Sequence, residues 1–566
     1  MSSGNGESST SNGGKGMKRT TVQHQQLPAR PKLVPQYPSA ETPRPPVSAF
    51  HDEEPVCLPF SLSGLTQPTS ESGEWVSVIT APAYAPFESW LNVMQSLIRH
   101  PERNSSNILR ADILSETCAQ QDEGGGKQGG WKKQWTIRRA LLPRRPNLDW
   151  RMEQDCSLHY RLHPHSAGEE HGEEGVEEAV VIYTPLIGAE SHPKMTIPEE
   201  GRGGLGQPLP TEAYIPFYHP KVRALAFHYH PHPSSSTGNT EEPTVYGRLS
   251  ISLIPFPPTT SSQPEPFPTT HRLTRVALSL ITTLHTHTWG DLHSYQKRVH
   301  HDQIVPRTLY QDLYLSLKPK YASELIAGWA EATDPTKHVF EEMGIAAFLI
   351  SLWSLEYGKE EGWKGRVKFV DVGCGNGLLT YILSREGFSG VGLDLRARKS
   401  WVNYSSKGAM LKEWTFTPAS LLQHRDEEGR DVWEGAFLIG NHADELTPWI
   451  PVLATHNNCA GFINLPCCYY GLDGTRDFPL LLKGKGEAVS RNEQYLAYVS
   501  MLHERFGWNL ESEALRIPST KNWCFVGRTW LPTSTGDQGR EVMRDRIQEA
   551  IQQALTRGWA ARTSTK

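Results

Sequence analysis

The sequence has few of the features that mark secreted or membrane proteins. Its eight cysteines are scattered over 566 residues without regular spacing, which argues against a disulfide scaffold and favours a reducing compartment. The amino terminus, "MSSGNGESST", lacks the apolar core of a signal peptide. The longest apolar run, "GIAAFLISLW", is far shorter than a membrane span. These absences predict a soluble intracellular protein.

The chain also lacks an excess of positive charge. It has 57 Lys and Arg residues against 62 Asp and Glu residues, which gives a formal net charge of -5. A protein without a global basic field can bind nucleic acid only where its positive charge is gathered locally. Any RNA-binding surface must therefore be sought in short segments.

Several segments contain too few apolar residues to form a packed core. Residues 1–50 are dominated by Ser, Gly, Pro and polar groups and are predicted to be a disordered tail. Similar low-complexity stretches are predicted to be disordered loops between short structured pieces. They read "AQQDEGGGKQGG", "SAGEEHGEEGVEE", "PSSSTGNTEEPT" and "PPTTSSQPEP".

The remaining sequence divides into segments that differ in the spacing of their apolar residues. Residues 51–270 contain strand-like pieces such as "EEAVVIYTP" and "YGRLSISLIPF" between prolines, which predicts an irregular α+β domain. Residues 271–355 carry apolar side chains at three- and four-residue spacing and are predicted to be a helical connector, with Asp334 and Pro335 starting its third helix.

From residue 356 to 532, apolar runs of strand length alternate with helical patterns. The runs are "RVKFVDV", "GVGLDL", "GAFLIG", "GFINLP" and "WCFVGR". Such alternation indicates a parallel sheet covered by helices on both faces. Residues 533–566 are predicted to form a carboxy-terminal helix and tail.

The turn after the first of these strands carries the strongest chemical signal. In "FVDVGCGNGLLTYIL", Gly373, Gly375 and Gly377 let the backbone approach a ligand at the carboxyl end of a strand. The G-x-G-x-G spacing differs from the dinucleotide fingerprint, and Asp371 would repel a pyrophosphate. An acid there suits the cationic groups of S-adenosylmethionine, and Asp394 at the end of "GVGLDL" is placed to accept both ribose hydroxyls.

Longer motifs around this turn carry a family resemblance. "VKFVDVGCGNGLLTYILSREGFSGVGLDLRARKSW", "LIGNHADELTPWIPVLA", "FINLPCCYYGLDG" and "IPSTKNWCFVGR" resemble the tRNA (uracil-2'-O-)-methyltransferase family. Upstream, "YQKRVHHDQIVPRTLYQDLYLSLKPKYA", "TDPTKHVFEEMGIAAFLISLW" and "IPFYHPKVRALAFHY" resemble it as well. The resemblance covers roughly residues 210–530.

The resemblance implies a class I S-adenosylmethionine-dependent methyltransferase with a Rossmann-like sheet, acting in the cytoplasm. It implies transfer of a methyl group to the ribose 2'-hydroxyl of the uridine at position 44 of serine tRNA. The alternatives are a methyltransferase with another acceptor and a non-catalytic tRNA-binding scaffold, against which the intact pocket argues. The predicted cofactor-binding residues are Asp371, Gly373, Gly375, Asn376, Gly377, Asp394 and Asn441.

Candidates for catalysis follow the fourth strand of this sheet. Asn441 lies where that strand ends beside the pocket, and His442, Asp444 and Glu445 are candidate proton acceptors. Asp444 and Glu445 could equally cap the helix that follows. Many ribose methyltransferases of this fold use a lysine and acid tetrad, and Lys521 in "STKNW" is the best available lysine, although the spacing does not complete a tetrad.

Metal binding is not expected from the cysteine and histidine pattern. Cys467 and Cys468 in "LPCCYYG" have no second ligand pair at a suitable spacing. The histidines of "HYHPH", His300 and His301 are interpreted as loop, surface or phosphate-contacting residues. The adjacent Tyr469 and Tyr470 could stack on a flipped base or belong to the core.

One segment gathers positive charge. "WKKQWTIRRALLPRRPNLDWR" interleaves basic residues with three tryptophans, a pattern that suits phosphate and base contacts, although a solvated loop fits it too. The candidate RNA-binding residues are Lys132, Lys133, Arg138, Arg139, Arg144 and Arg145.

Overall fold

A computed structural model describes ten parts of the chain. These are residues 28–37, 75–118, 131–162, 176–186, 211–231, 244–256, 271–295, 300–422, 432–482 and 489–559. The chain divides into two compact units, Met1–Lys297 and Arg298–Lys566. Most of the predicted tail and of the four low-complexity stretches lies outside the described residues.

The first unit is built on a seven-stranded antiparallel sheet. Its strands, in chain order, are β1 (Val76–Ala83), β2 (Ile108–Cys118), β3 (Trp131–Pro143), β4 (Met152–Leu162), β5 (Val176–Leu186), β6 (Val222–Pro231) and β7 (Gly247–Pro255). Their order across the sheet is β1-β7-β6-β5-β4-β3-β2. Strands β5 and β7 confirm the two predicted strands. The first 13 residues of the basic tryptophan-bearing segment, for which a solvated loop was the alternative, form the inner strand β3, and the rest of the segment lies beyond its end.

Two helices cover one face of this sheet. Helix α1 (Phe87–Arg99) follows β1, and helix α2 (Arg272–Leu292) follows β7. Apolar side chains of both helices pack on inward-facing residues of the strands, among them Phe227 and Tyr229 of β6. Helix α2 was predicted within a separate connector, and its packing into this core corrects that boundary.

A short piece of the predicted tail also belongs to this unit. Gln36 forms a two-way backbone bridge with Thr80 of β1, at 2.8 and 2.9 Å. Leu33 and Tyr37 pack against the core of the unit. Residues 28–37 therefore do not fit the prediction of disorder for residues 1–50.

The second unit contains a mixed seven-stranded sheet. Its strands are β8 (Lys368–Val372), β9 (Ser389–Asp394), β10 (Leu411–Glu413), β11 (Phe437–Asn441), β12 (Gly461–Leu465), β13 (Trp508–Ala514) and β14 (Trp523–Trp530). Their order is β10-β9-β8-β11-β12-β14-β13. Strands β8 to β12 are parallel to one another, and β14 is antiparallel to both β12 and β13. All five predicted strands are confirmed, but the sheet is not wholly parallel.

Helices cover both faces of this sheet. They are α3 (Arg307–Ala327), α4 (Pro335–Tyr357), α5 (Leu378–Arg385), α6 (Trp401–Ser406), α7 (Ile450–His456), α8 (Arg491–Arg505) and α9 (Gly536–Thr556). Alternate strand residues face opposite layers: Phe369 packs with α3 to α5, and the next residue, Val370, packs with α7 to α9. This is the class I methyltransferase arrangement that the sequence predicts.

Helix α4 lies at the centre of one layer. Asp334 caps it by accepting from the backbone N–H groups of Thr336 and Lys337, which confirms the predicted start. The helix is long and apolar enough to cross a membrane by length and composition, but its apolar side chains are buried in the core, where Trp353 contacts Phe369 and Phe437. Helices α3 and α4 thus belong to the second unit, and no independent connector separates the two units among the described residues.

Candidate active site

The parallel strands bring the predicted site residues to one edge of the sheet. Strands β8, β9, β11 and β12 run in the same direction, so their carboxyl ends meet at this edge. Asp371 lies near the end of β8, Asp394 ends β9, and Asn441 ends β11. The predicted cofactor residues are therefore brought together.

The glycine turn has the backbone conformation for which glycine is needed. Gly373, Gly375 and Gly377 have φ values of 75°, 54° and 76°, in the left-handed region that other residues rarely adopt. A Cβ atom at Gly375 would meet no described atom within 4 Å, so open space lies beside this backbone. The turn leaves room for a ligand where the sequence predicts one.

Asp394 is fixed beside this turn. Its Oδ2 accepts the Gly375 backbone N–H at 2.8 Å, and its Oδ1 lies 3.6 Å from the Arg398 guanidinium. A carboxylate has about four acceptor positions, so capacity remains for hydroxyl donors. Asn376 uses its Oδ1 to accept the Leu378 N–H and so starts α5.

Asp371 lies beneath the turn and is buried. The Thr380 hydroxyl donates to its Oδ2 at 2.8 Å. Burial, with the charge of Asp394, raises the pKa of Asp371 to about 7 despite that hydrogen bond. A nearby positive charge therefore stabilises the ionised form of Asp371.

Two acids of α4 join the site, and the sequence analysis did not identify them. The Glu342 Oε2 accepts from the Asn441 amide at 3.0 Å, and the Glu341 Oε1 lies 3.2 Å from the His442 Nε2. Burial and the charges of Asp371 and Glu341 raise the pKa of Glu342 well above its ordinary value. Burial opposes ionisation of Glu341 as well, but the hydrogen bond with His442 lowers its pKa.

Two buried polar atoms of the β11 edge lack a hydrogen-bond partner among the described residues. They are the Asn441 Oδ1 and the His442 Nδ1. Unpaired buried polar atoms are costly, and a ligand with matching groups would satisfy them. With the open glycine turn and the surrounding carboxylates, the residues present fit a cationic, hydroxyl-bearing cofactor such as S-adenosylmethionine.

The backbone after β11 is strained. His442 and Asp444 have φ values of 52° and 44°, which are unusual for residues other than glycine. Asp444 and Glu445 lie in the first turn of a short 3-10 helix, Asp444–Trp449, where acids favour the helix amino terminus. Of the candidate proton acceptors, His442 contacts an acid of α4, Glu341.

Lys521 is connected to Glu341 through Ser519. Its Nζ donates to the Tyr469 hydroxyl and to the Asn492 Oδ1, each at 2.8 Å. Its backbone N–H donates to the hydroxyl of Ser519, which in turn hydrogen-bonds to Glu341. No carboxylate pairs with Lys521 among the described residues, so the lysine and acid tetrad is not formed.

The cysteine pair, which follows β12, contacts an acid of the segment after β11. The Cys467 thiol lies 3.6 Å from the Asp444 Oδ1, and Cys468 completes a group whose ligand atoms lie within 4.8 Å of one another. Burial, followed by the neighbouring Cys468 and Asp444, raises the pKa of the Cys467 thiol, so this thiol is protonated when no metal ion is bound.

The first unit contains a second such group. Glu178, His228 and His230 lie together on β5 and β6, with Arg161 3.0 Å from the Glu178 Oε2. The arginine competes with a cation for this carboxylate. Two of the three histidines of "HYHPH", His228 and His230, are therefore strand residues beside a buried acid, and their interpretation as loop residues is wrong. His232 lies outside the described residues.

His300 and His301 contact the sheet of the second unit. The backbone carbonyl of His300 accepts the Ala514 N–H, and the His301 ring lies within hydrogen-bonding reach of the Ala514 carbonyl. These contacts join the segment before α3 to the end of β13.

The candidate RNA-binding residues do not form one patch. Lys132 and Lys133 are exposed at the start of β3, and Arg144 and Arg145 are exposed just beyond its end. The strand has 13 residues, which at about 3.3 Å each separates its ends by roughly 40 Å. The lysine pair and the arginine pair can therefore contact RNA only at positions this far apart.

The two central arginines already have partners within the protein. Arg138 is exposed and pairs with Asp155 at 2.8 Å. Arg139 is only 3% exposed and donates to the carbonyl oxygens of Leu97 and Ile98 and to the Gln154 side chain. Arg139 is thus a structural residue, and its prediction as a phosphate contact is wrong.

Comparison with known protein families assigns both units. Residues 49–298 match a family model described as TRM44-like, N-terminal bet v1-like domain. Residues 304–415 match a model described as a predicted AdoMet-dependent methyltransferase. The second unit is an S-adenosylmethionine-dependent methyltransferase domain, as its sheet order and glycine turn indicate.

Curated relatives are similar over most of the chain. A tRNA (uracil-O(2)-)-methyltransferase of Neurospora crassa is 37% identical over 77% of this chain and 83% of its own length. The Schizosaccharomyces pombe protein of that name is 34% identical, with coverages of 87% and 91%. The Saccharomyces cerevisiae protein is 29% identical, with coverages of 80% and 87%. With this identity and coverage, the chain belongs to the tRNA (uracil-O(2)-)-methyltransferase family.

Proposed function

We propose that this protein transfers a methyl group from S-adenosylmethionine to the ribose 2'-hydroxyl of the uridine at position 44 of serine tRNA, in the cytoplasm. The observation that carries the chemical part is the pair of contacts from α4 to the end of β11, Glu341 to His442 and Glu342 to Asn441. Family membership and the resemblance described above support the substrate. An enzyme is favoured over a scaffold because the site keeps its acids and an oriented base.

Several residues hold the cofactor in this proposal. Bound S-adenosylmethionine supplies the methyl group on a positively charged sulfur. Asp371 and Glu342 offer the negative charge that a cationic ligand needs, and both have raised pKa values caused chiefly by burial. Asp394 accepts ribose hydroxyls, and Gly373, Gly375 and Gly377 keep the approach open. Asn376 and Asn441 line the same edge.

His442 is the proton acceptor in this proposal. A ribose hydroxyl must lose its proton as its oxygen is methylated. When the Nε2 of His442 donates to Glu341, its Nδ1 is left as an acceptor, and that atom has no partner among the described residues. Glu341 fixes the tautomer and stabilises the protonated ring, the role that a carboxylate has in a hydrolase triad. Asp444, Glu445 and Lys521 are then not the base.

The first unit contacts the tRNA backbone in this proposal. Lys132, Lys133, Arg144 and Arg145 are exposed, and contacts to phosphates need charge but no buried geometry. Arg138 joins them only by exchanging its Asp155 partner for a phosphate.

A substrate comparison tests the proposal. Full-length protein with labelled S-adenosylmethionine is expected to methylate a serine tRNA transcript once per molecule. The matched control transcript carries 2'-deoxyuridine at position 44 and is expected to accept no label. Label in the deoxy transcript would place the methyl group elsewhere, and no label in either transcript would favour a non-catalytic scaffold.

A further inference from the structure

A cluster of cations and aromatic rings lies next to the acceptor side of the active site. Tyr469 and Tyr470 follow β12, and three basic residues surround them: Arg476, Arg491 and Lys521. The Lys521 Nζ lies 5.0 Å from the centre of the Tyr469 ring, and the Arg491 guanidinium carbon lies 5.5 Å from it. The Arg476 guanidinium carbon lies 5.0 Å from the centre of the Tyr470 ring. We call this group the cation–tyrosine cluster.

The cluster joins the active site through short contacts. Cys467, two residues before Tyr469, contacts Asp444 of the loop that carries His442. The His442 backbone N–H donates to the Leu465 carbonyl at the end of β12, at 3.3 Å. On the other side, Ser519 bonds both to Lys521 and to Glu341. All of these residues lie within the second unit.

Among the described residues, the cations of the cluster form no direct ion pair; the pKa of Arg476 is raised chiefly by Tyr470 and, to a smaller extent, by the charge of Asp444. Other arginines of this unit pair with acids, such as Arg516 with Asp302 and Arg528 with Glu511. Arg476, Arg491 and Lys521 pair with no carboxylate among the described residues. Arg476 and Arg491 are exposed as well. The cluster therefore presents two exposed arginines and the half-buried Lys521, and it is connected through Cys467 and Asp444 to the segment that carries His442.

The hydrogen bonds of the cluster fix the cations and leave donors available. Lys521 uses two of its three donors on Tyr469 and Asn492. Arg476 donates to the Tyr470 hydroxyl at 3.3 Å, and Arg491 donates to the Arg476 carbonyl at 2.9 Å. A guanidinium has five N–H donors, so both arginines can bind further anionic oxygens.

We propose that the cation–tyrosine cluster binds the phosphates that flank the target nucleotide of the RNA substrate. Single-stranded nucleic acid is bound where positive charge follows its backbone. Tyr470 is only 9% exposed and Tyr469 is half-buried, so the two rings hold the cations in place while the cations contact the phosphates. Lys521 then positions the acceptor and does not take its proton. This inference rests on the proposed RNA substrate and adds the residues that hold it at the site.

Salt dependence of binding tests the two arginines. The double variant Arg476→Gln, Arg491→Gln in the full chain is expected to bind a serine tRNA transcript about tenfold or more weakly. The slope of log affinity against log salt should become shallower by about 1.4 to 1.8, twice the value for one phosphate contact. The matched control is Arg540→Gln, Arg544→Gln on α9, which removes the same charge and should leave the slope unchanged.

A slope equal to that of the wild type in the cluster variant would overturn the inference. Because binding is measured without turnover, this result is separate from a failure of the proposed methylation. Unchanged calorimetric affinity for S-adenosylmethionine in the variant shows that its fold is intact.

The pH dependence of turnover tests Lys521. Lys521→Met is expected to raise the KM for tRNA and to leave the pH profile of kcat unchanged in shape. A proton-accepting lysine would instead lose the limb of the profile that reports its own ionisation. A changed profile in this variant would contradict the positioning role.

Discussion

Asp371 is a buried acid whose charge depends on what lies beside it. Burial raises its pKa to about 7, so the group is largely protonated in mildly acidic solution before a ligand binds. A cationic ligand favours the ionised form, so binding below pH 7 requires release of a proton. The pKa of Glu342 is also raised, so ionisation of this group when a cationic ligand binds likewise releases a proton.

Affinity for S-adenosylmethionine is therefore expected to fall as the pH drops from 7.5 to 5.5. Asp371→Asn should weaken binding at pH 7.5 by an order of magnitude, since a charge-assisted contact contributes roughly 1.5 to 3 kcal/mol. It should also make the pH dependence shallower. Calorimetry at several pH values measures both effects, and an affinity that is unchanged in the variant would show that the pocket is misplaced.

His442 tests the proposed chemistry more narrowly. His442→Ala should lower kcat by about 10²- to 10⁴-fold, the contribution typical of a general base. Affinity for S-adenosylmethionine should stay the same, because the ring is assigned to the acceptor. Glu341→Gln should lower kcat less, since the imidazole remains. Single-turnover rates with saturating tRNA measure these losses, and a rate within threefold of wild type for His442→Ala would exclude it as the base.

Local patterns predicted some residues of the site and could not predict others. The three glycines, Asp371 and Asp394 lie within one strand-turn-helix-strand segment, so their spacing carries the signal. Glu341 and Glu342 lie 101 and 99 residues from their partners in the chain. Only the packing of α4 against the sheet brings them to β11, and no local pattern records that contact.

Among the secondary-structure elements, strand β3 shows that the face on which an arginine side chain lies decides whether it is buried or exposed. Trp135 and Ile137 face the core, and Arg139, two residues further, lies on the same face. Arg138 points the other way and is exposed. When "WTIRRALL" is read as a strand whose side chains alternate between two faces, Arg139 falls on the buried face. Counting the basic residues of the segment does not reveal this. The strand itself was missed because its charges suggested a loop.

Two variants of this element are expected to behave differently. Arg144→Gln with Arg145→Gln should make the salt slope of tRNA binding shallower by about 1.4 to 1.8 and leave stability unchanged. Arg139→Gln should leave the slope unchanged and destabilise the first unit by on the order of 3 kcal/mol, because buried acceptors lose their donors. Salt titration and urea unfolding separate the two outcomes, and the reverse pattern would show that the roles are misassigned.

At the scale of the whole molecule, two cores are distributed over one chain. The sequence predicted the parallel part of the second core well, because each buried strand is a continuous apolar run. It predicted the first unit poorly, because strands such as β2 and β4 are polar on one side and separated by low-complexity stretches. The helices assigned to a connector belong to different cores, a distinction that depends on tertiary contacts and not on helical periodicity.

Separate cores predict separate responses to a ligand. Thermal unfolding of the full chain should show two transitions, and S-adenosylmethionine at 100 times its Kd should stabilise the second unit alone by about 2.7 kcal/mol. Calorimetric scans with and without the ligand measure the shift. A shift of both transitions would contradict the assignment of the cofactor site to the second unit.

The proposed reaction is tested most directly by mapping ribose methylation in cells. Serine tRNA from cells with and without the protein would be digested and sequenced by mass spectrometry. The mass of one methyl group on the ribose of uridine 44 is expected with the protein and is expected to be absent without it. A His442→Ala copy is expected to fail to restore the modification, whereas an Arg540→Gln copy is expected to restore it. Unchanged 2'-O-methylation at this nucleotide in cells that lack the protein would contradict the central claim.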